Sequence, residues 1–147
     1  MPYYFRDHEL PEFLDFLDDL NCSGCQYSVV TFDGVVTACG GFGVFDGSDT
    51  ADLCWGMVDA AQHKNRIGEF LLLGRLYRIL QETDADYVHL GTCQLTEGFF
   101  QRYGFCVQLR ITDGVADGLD DVQMHMKLTD EIRNLIRRQW LRRSGTP

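Results

Sequence analysis

Between residues 51 and 82 the apolar pattern changes period within one short connection, and this constrains the fold more than any other feature. Ala51 to Val58 (Ala-Asp-Leu-Cys-Trp-Gly-Met-Val) reads as a strand. Ile67, Phe70, Leu71, Leu72, Leu76, Ile79 and Leu80 then recur at helical spacing from about Arg66 to Glu82. The loop between them, Asp59-Ala-Ala-Gln-His-Lys-Asn-Arg-Ile-Gly68, delivers the chain from strand to helix N-terminus. The first N–H groups of a helix lack intrahelical partners and its N-terminal end is partly positive, so such an end suits a phosphate or pyrophosphate. Lys64 and Arg66 add two cations there. A solvated basic loop explains them equally well on physics alone.

The remaining segments extend the alternation. Residues 2–6 can form a short strand. Leu10, Phe13, Leu14, Leu17 and Leu20 predict a helix from Glu9 to Leu20, with Pro11 in its first turn, and 21–26 reads as loop. Tyr27–Phe32 and Val35 to about Val44 are strands joined by Asp33-Gly34, a strong hairpin signal because both central residues of that turn take positive φ. Asp46-Gly47-Ser48 turns the chain into the strand 51–58. Tyr87–Thr92 is a strand, Thr96–Tyr103 a short helix closed by Gly104, and Phe105–Ile111 a strand. Residues 112–120 read as a Gly/Asp loop and Val122–Leu128 as a strand. Thr129 caps a last helix with acids in its first turn and arginines near its end. The expected fold is α/β (α+β): a mixed, mainly antiparallel central sheet flanked by helices.

At 147 residues the chain has the length of one domain. We divide it at 129, with 130–147 as a basic amphipathic helix packed on the body or on a second copy of the chain in a homodimer. The formal net charge is −9. Residues 131–147 hold Glu131 against Arg133, Arg137, Arg138, Arg142 and Arg143, a net of +4, which leaves −13 for residues 1–130. An acidic body argues against a phosphate-gripping nucleic-acid binder and favours cationic partners. It also serves plain solubility. No apolar stretch reaches the roughly twenty residues of a membrane span, and the N-terminus lacks the plan of a signal peptide, so a cytoplasmic protein is expected. The six cysteines include one C-x-x-C pair, Cys22 and Cys25, with no second pair or His at zinc spacing, so no metal is expected. Cys39, Cys54, Cys93 and Cys106 read as small core residues of strands.

The segment 63–68 resembles motif A of the GNAT-superfamily acetyltransferases, Arg/Gln-x-x-Gly-x-Gly/Ala, with His63, Lys64, Asn65, Arg66, Ile67 and Gly68 at the six positions. Gly68 matches; His63 replaces the usual Arg or Gln, and Arg66 the first glycine. Glu97-Gly-Phe-Phe-Gln-Arg-Tyr-Gly-Phe105 resembles motif B, an aromatic-rich helix ending in Gly-Phe. The resemblance covers roughly residues 2–128.

It implies an N-acetyltransferase that moves the acetyl group of acetyl-CoA directly to a primary amine, without a metal. The alternative is a CoA-binding or protein-interaction module on the same fold that has lost turnover. Met57 and Val58 would pair with the pantetheine arm, the loop 63–68 with Glu69 would hold the pyrophosphate, and Phe100 would border the cofactor. The family often carries a Tyr proton donor where Phe100 stands; Tyr103, one turn later, could stand in, or could simply pack. Asp52 matches a position where many relatives carry Glu and is the candidate base, although an ordinary strand-edge carboxylate fits it as well. His89 and His125 are candidate proton relays. The acceptor would be a small-molecule or peptide amine met by the acids of 9–26 and 112–120, with no nucleic acid or membrane.

Overall fold

The computed structural model describes residues 7–145, leaving the strand expected at 2–6 outside the described residues. The chain runs α1 (Glu9–Asp18), α2 (Leu20–Ser23), β1 (Gln26–Phe32), β2 (Val35–Val44), β3 (Thr50–Val58), a 3-10 turn (Ala60–Asn65), α3 (Ile67–Glu82), β4 (Tyr87–Thr92), α4 (Glu97–Gln101), β5 (Cys106–Ala116), β6 (Leu119–Lys127) and α5 (Asp130–Ser144). The six strands form one sheet in the order β1-β2-β3-β4-β6-β5. Only β3 and β4 pair in parallel, and their connection carries α3.

The turn chemistry explains the antiparallel half. Asp33 and Gly34 both take positive φ, 49° and 78°, as the tight β1–β2 hairpin requires. The β2–β3 ladder slips between Cys39 and Gly41, and Trp55 opposite takes a φ of 43°. A bulge of this kind bends a strand and increases its twist.

Successive side chains alternate between the two faces of a strand, and that alternation sorts the sheet. Ala51, Val88, Leu90, Val122 and Met124 are buried with Leu72, Leu76 and Ile79 of α3 in one core. Asp52, His89, Gln123 and His125 fall on the other parity of the same strands. The exposed helix α1 buries no residue fully, but Phe13 and Phe16 pack on Trp55 and Tyr27, with ring centroids 5.2 Å and 5.5 Å apart.

Helix α5 lies against α3. Trp140 sits 5.0 Å from the Phe70 ring and 6.0 Å from Tyr77. Gly74 makes room for it, since a Cβ there would stand 3.1 Å from the indole. Thr129 caps α5 by accepting from the Ile132 N–H at 3.2 Å.

Four expectations are corrected. The first helix ends at Asp18, and part of the expected loop that follows is the short helix α2. Most of the loop expected at 59–68 is a 3-10 turn, Ala60–Asn65, and its last two residues already belong to α3. The stretch 112–120 is mostly strand: β5 continues to Ala116 and β6 begins at Leu119, leaving Asp117-Gly118 as a tight turn, with Gly118 at φ 73°. Glycine and aspartate suggest loop, but here Gly114 sits in an irregular register of the ladder, where strands tolerate it. Of the four expected core cysteines, Cys93 is buried in the turn after β4, Cys39 and Cys54 are half-buried, and Cys106 is exposed at the start of the edge strand.

Candidate active site

The parallel pairing of β3 and β4 covers only Thr50–Tyr87, Ala51–Val88 and Asp52–His89. Past that register the strands part. A cleft of about 590 Å³ fills the gap, walled by Leu53 to Gly56 of β3 and Leu90 to Thr92 of β4. Val58, His63 and Gly68 line one end of it, Phe99 and Phe100 of α4 another part, and Asp121 and Glu9 bring carboxylates to its wall. The lining is mainly apolar with a few polar groups, the usual make-up of a small-molecule site.

At the end lined by Gly68, helix α3 presents its N-terminus. Arg66 is the N-cap residue in the left-handed region, φ 58° and ψ 23°, and makes no side-chain cap. The first N–H groups of α3 are therefore not satisfied by a capping side chain. The left-handed conformation is one that glycine adopts without strain and arginine does not, so Arg66 carries a glycine-like backbone shape. Its side chain turns back to Glu69, Nε to Oε2 at 2.6 Å. The approach is set by Asp59, which accepts from the Ala61 N–H at 2.9 Å, and by the His63 ring, whose Nε2 lies 3.2 Å from the Val58 carbonyl.

Of the ten residues expected to hold the cofactor, four line the cleft and the others lie beside them in the chain. Val58, His63, Gly68 and Phe100 line the cleft. Met57 lies beside Val58 and pairs with Cys39 of β2. Lys64 and Asn65 are exposed on the 3-10 turn, with Asn65 donating to Gln62 at 2.7 Å, and Ile67 opens α3. Glu69 faces inward: burial would raise its pKa, but the hydrogen bond from Arg66 and the charges of Arg143 and Arg66 hold it below the usual carboxylate range. Tyr103 faces Glu69 instead of the cleft, and burial followed by that carboxylate's charge raises its pKa.

Asp52 stands one step outside the cleft lining. Its Oδ1 is 2.7 Å from His89 Nδ1; His89 Nε2 is 2.7 Å from Gln123 Oε1; and Gln123 Nε2 donates to Asp121 Oδ1 at 2.5 Å. Thus a polar chain runs from Asp52, where the strands separate, to a carboxylate in the cleft wall. His125 lies opposite His89 on β6 and lines a second, smaller hollow with it. Thr92 and Thr96 are hydrogen-bonded hydroxyl to hydroxyl beside the cleft.

Sequence reading missed three residues. Arg75 is 7% exposed and lines the cleft from α3. Its signal was an arginine four residues after Leu71, on the stripe that carries the core. Arg143 of α5 donates to the Arg66 carbonyl at 3.0 Å and lies 3.6 Å from Glu69, so the last helix buttresses the loop. Asp121 lies on β6 in the cleft wall, and its sequence neighbourhood shows only a run of acids with nothing to mark this one out. Among the described residues no group of three potential ligands is arranged to hold a metal ion, and no helix is long and apolar enough to cross a membrane.

No family model matches this sequence and no curated protein does. Solved structures do. A protein assigned to the GNAT family of acetyltransferases, from Desulfovibrio desulfuricans, superposes with a TM-score of 0.71 at 18% identity, covering 85% of this chain and 84% of that one. An aminoglycoside 6′-N-acetyltransferase complexed with coenzyme A gives 0.67 at 12%, covering 85% and 82%. Ribosomal-protein-alanine N-acetyltransferase from Brucella melitensis gives 0.66 at 19%, covering 81% and 78%. The chain has the fold of the GNAT acetyltransferases, as the two motifs implied.

Proposed function

We propose that this protein is an N-acetyltransferase that uses acetyl-CoA and acetylates a primary amine by direct transfer. One observation carries the reading: β3 and β4 part immediately beyond Asp52 and His89, and the cleft so opened leads to the uncapped N-terminus of α3. An acyl thioester with a pyrophosphate tail needs an apolar slot with an anion site at one end, and the residues present fit both demands. The free edge of β3 at Met57 and Val58 offers backbone groups to the pantetheine arm. The N–H groups of Ile67, Gly68 and Glu69, with Lys64 and Arg66, hold the pyrophosphate. When bound, acetyl-CoA supplies an activated acyl carbon and a thiol leaving group.

The amine must attack uncharged, so its proton has to leave. Asp52, with His89 at 2.7 Å, takes that proton through water, and Gln123 and Asp121 tie the pair to the cleft wall. Phe100 stands in the wall without a hydroxyl, and Tyr103 is engaged with Glu69. The thiolate therefore leaves as an anion, which a thiol pKa of about 8.5 allows. The acidic body, with Glu9 and Asp121 at the cleft, favours an ammonium-bearing acceptor that is a small molecule or a peptide.

The second reading, a CoA-binding module without turnover, draws on the same Phe100 and on Arg66 in the glycine's place. Calorimetric titration with acetyl-CoA, followed by thiol release with a panel of amines, separates the two. Binding and release together support the enzyme. Tight binding with no release on any amine supports the module, and no binding overturns both.

A further inference from the structure

The guanidinium of Arg75 is set into the sheet without a counter-ion. Its residue is 7% exposed, its Nε is buried with no hydrogen-bond partner, and its Nη1 reaches only the Gly41 carbonyl at 3.5 Å, the outer limit of a hydrogen bond. Among the described residues no carboxylate pairs with it. Its polar surroundings are the thiols of Cys54 and Cys39 and the hydroxyl of Tyr27; burial pushes Cys54 up to about 12, so that thiol supplies no negative charge at neutral pH. Burial also lowers Arg75, to about 10, and it remains a cation at neutral pH. An uncompensated buried charge is destabilising, and a strongly perturbed ionisable group in a cleft marks a candidate functional site.

The sheet is shaped around this cation. A Cβ on Gly40 would lie 3.0 Å from Nη1, and one on Gly56 would lie 3.0 Å from Nη2. Gly40 is buried, whereas Gly56 is exposed and lines the cleft. The missing side chain at Gly56 therefore leaves the guanidinium one atom layer below the cleft surface, at the bulge where Trp55 takes positive φ.

We propose that Arg75 is the anchor for a carboxylate entering the cleft, and that the acceptor is an amino acid or amino-acid derivative carrying both an amine and a carboxylate. The substrate class rests on the acetyl-transfer reading; the anion site does not. A guanidinium pairs with a carboxylate by two parallel hydrogen bonds, and its forked donors are the part of Arg75 now poorly satisfied.

The experiment compares amines that differ only by the carboxylate: phenylalanine with phenethylamine, and lysine with cadaverine. Thermal melting of the acetyl-CoA-saturated protein reads binding, and thiol release reads turnover. In the unaltered protein at least one carboxylated member is expected to raise the melting temperature and to exceed its partner by about ten- to a hundredfold in kcat/KM, the range of a charge-assisted hydrogen-bonded pair. Arg75→Gln is expected to abolish that preference while acetyl-CoA affinity stays unchanged, and Arg75→Lys to restore part of it. Gly56→Ala, which crowds Nη2, is expected to weaken the preference with the charge intact. Carboxylate-dependent stabilisation lost in Arg75→Gln upholds the anchor even if no amine is turned over, which would count against acetyl transfer alone. Equal handling of both members of every pair, no stabilisation by any carboxylate, or equal slowing of both members in Arg75→Gln overturns it.

Discussion

Asp52 and His89 are the last residues at which β3 and β4 pair, and their side chains close that register with an Oδ1–Nδ1 contact of 2.7 Å. The other ring nitrogen, Nε2, meets the Gln123 carbonyl oxygen, which is oriented because the Gln123 amide donates to Asp121. Both nitrogens thus face oxygen acceptors, whereas a neutral imidazole donates through one only. This is the pair to which the proposed mechanism gives the amine proton, and it stands where the two strands part.

Replacing Asp52 by Asn should therefore lower acetyl transfer at pH 7 by about ten- to a hundredfold, the range for one acid–base group. At pH 9.5 the loss should shrink, because more of the acceptor amine is already uncharged. Thiol release measured across pH, at saturating acetyl-CoA, checks this. A loss of the same size at both ends would remove Asp52 from proton transfer.

Gly68→Ala and Gly68→Glu divide packing from charge at the α3 N-terminus. A Cβ at Gly68 meets Val58 Cγ2 at 3.7 Å and Phe99 Cζ at 3.9 Å, ordinary contact distances. Alanine should bind acetyl-CoA within about threefold of the unaltered protein. Glutamate places bulk and negative charge beside the pyrophosphate, and its affinity should fall by at least about tenfold. Calorimetry decides, and unchanged affinity in Gly68→Glu would misplace the site.

Much of this arrangement was legible in the sequence, and the limits have physical causes. The change of period at 58–66 marks strand and helix because an apolar face has the same repeat before and after packing. Asp33-Gly34 marks the hairpin because few residues tolerate its two positive φ values. Arg66 hid the loop's glycine-like bend, since a sequence gives residue type and not φ. Pairing between distant strands was equally invisible: nothing near Asp52 in the chain announces His89 or Gln123. Arg75 was masked by its own helix, where an arginine normally reads as a solvated face.

Half-buried Cys54 and buried Arg75 should give the folded state opposite alkaline slopes. Burial raises Cys54 from 9.0 to about 12, so its contribution is fully present below pH 9 and is lost as pH rises toward 12, where the unfolded chain ionises first. Arg75, lowered to about 10, works the other way: above pH 10 the folded protein releases that proton before the unfolded chain, and stability is regained. Urea unfolding at pH 8.5, 9.5 and 10.5 should show a decline that Cys54→Ala flattens and Arg75→Gln steepens at the highest pH. Identical slopes in all three proteins would contradict the assigned burial.

The last helix offers a test that separates stability from binding, because two of its residues act on different parts of α3. Trp140 packs on Phe70, Tyr77 and Gly74, so Trp140→Ala removes a large aromatic contact from the helix pair. Its loss should cost about 2–4 kcal/mol in urea unfolding, toward the lower part of the range for large core truncations because the indole is partly exposed. Arg143 instead donates to the Arg66 carbonyl at 3.0 Å and sits 3.6 Å from Glu69, holding the left-handed residue that sets the start of α3. Arg143→Ala should cost about 1 kcal/mol or less in stability, as a partly exposed hydrogen bond does. It should nevertheless weaken acetyl-CoA by about three- to tenfold, because the N–H groups of 67–69 lose their fixed direction. If Arg143→Ala lowered stability as much as Trp140→Ala and left acetyl-CoA affinity intact, the arginine would belong to helix packing alone. The expected split, stability with Trp140 and affinity with Arg143, would make α5 part of the binding apparatus although it lies outside the segment that carries the family motifs.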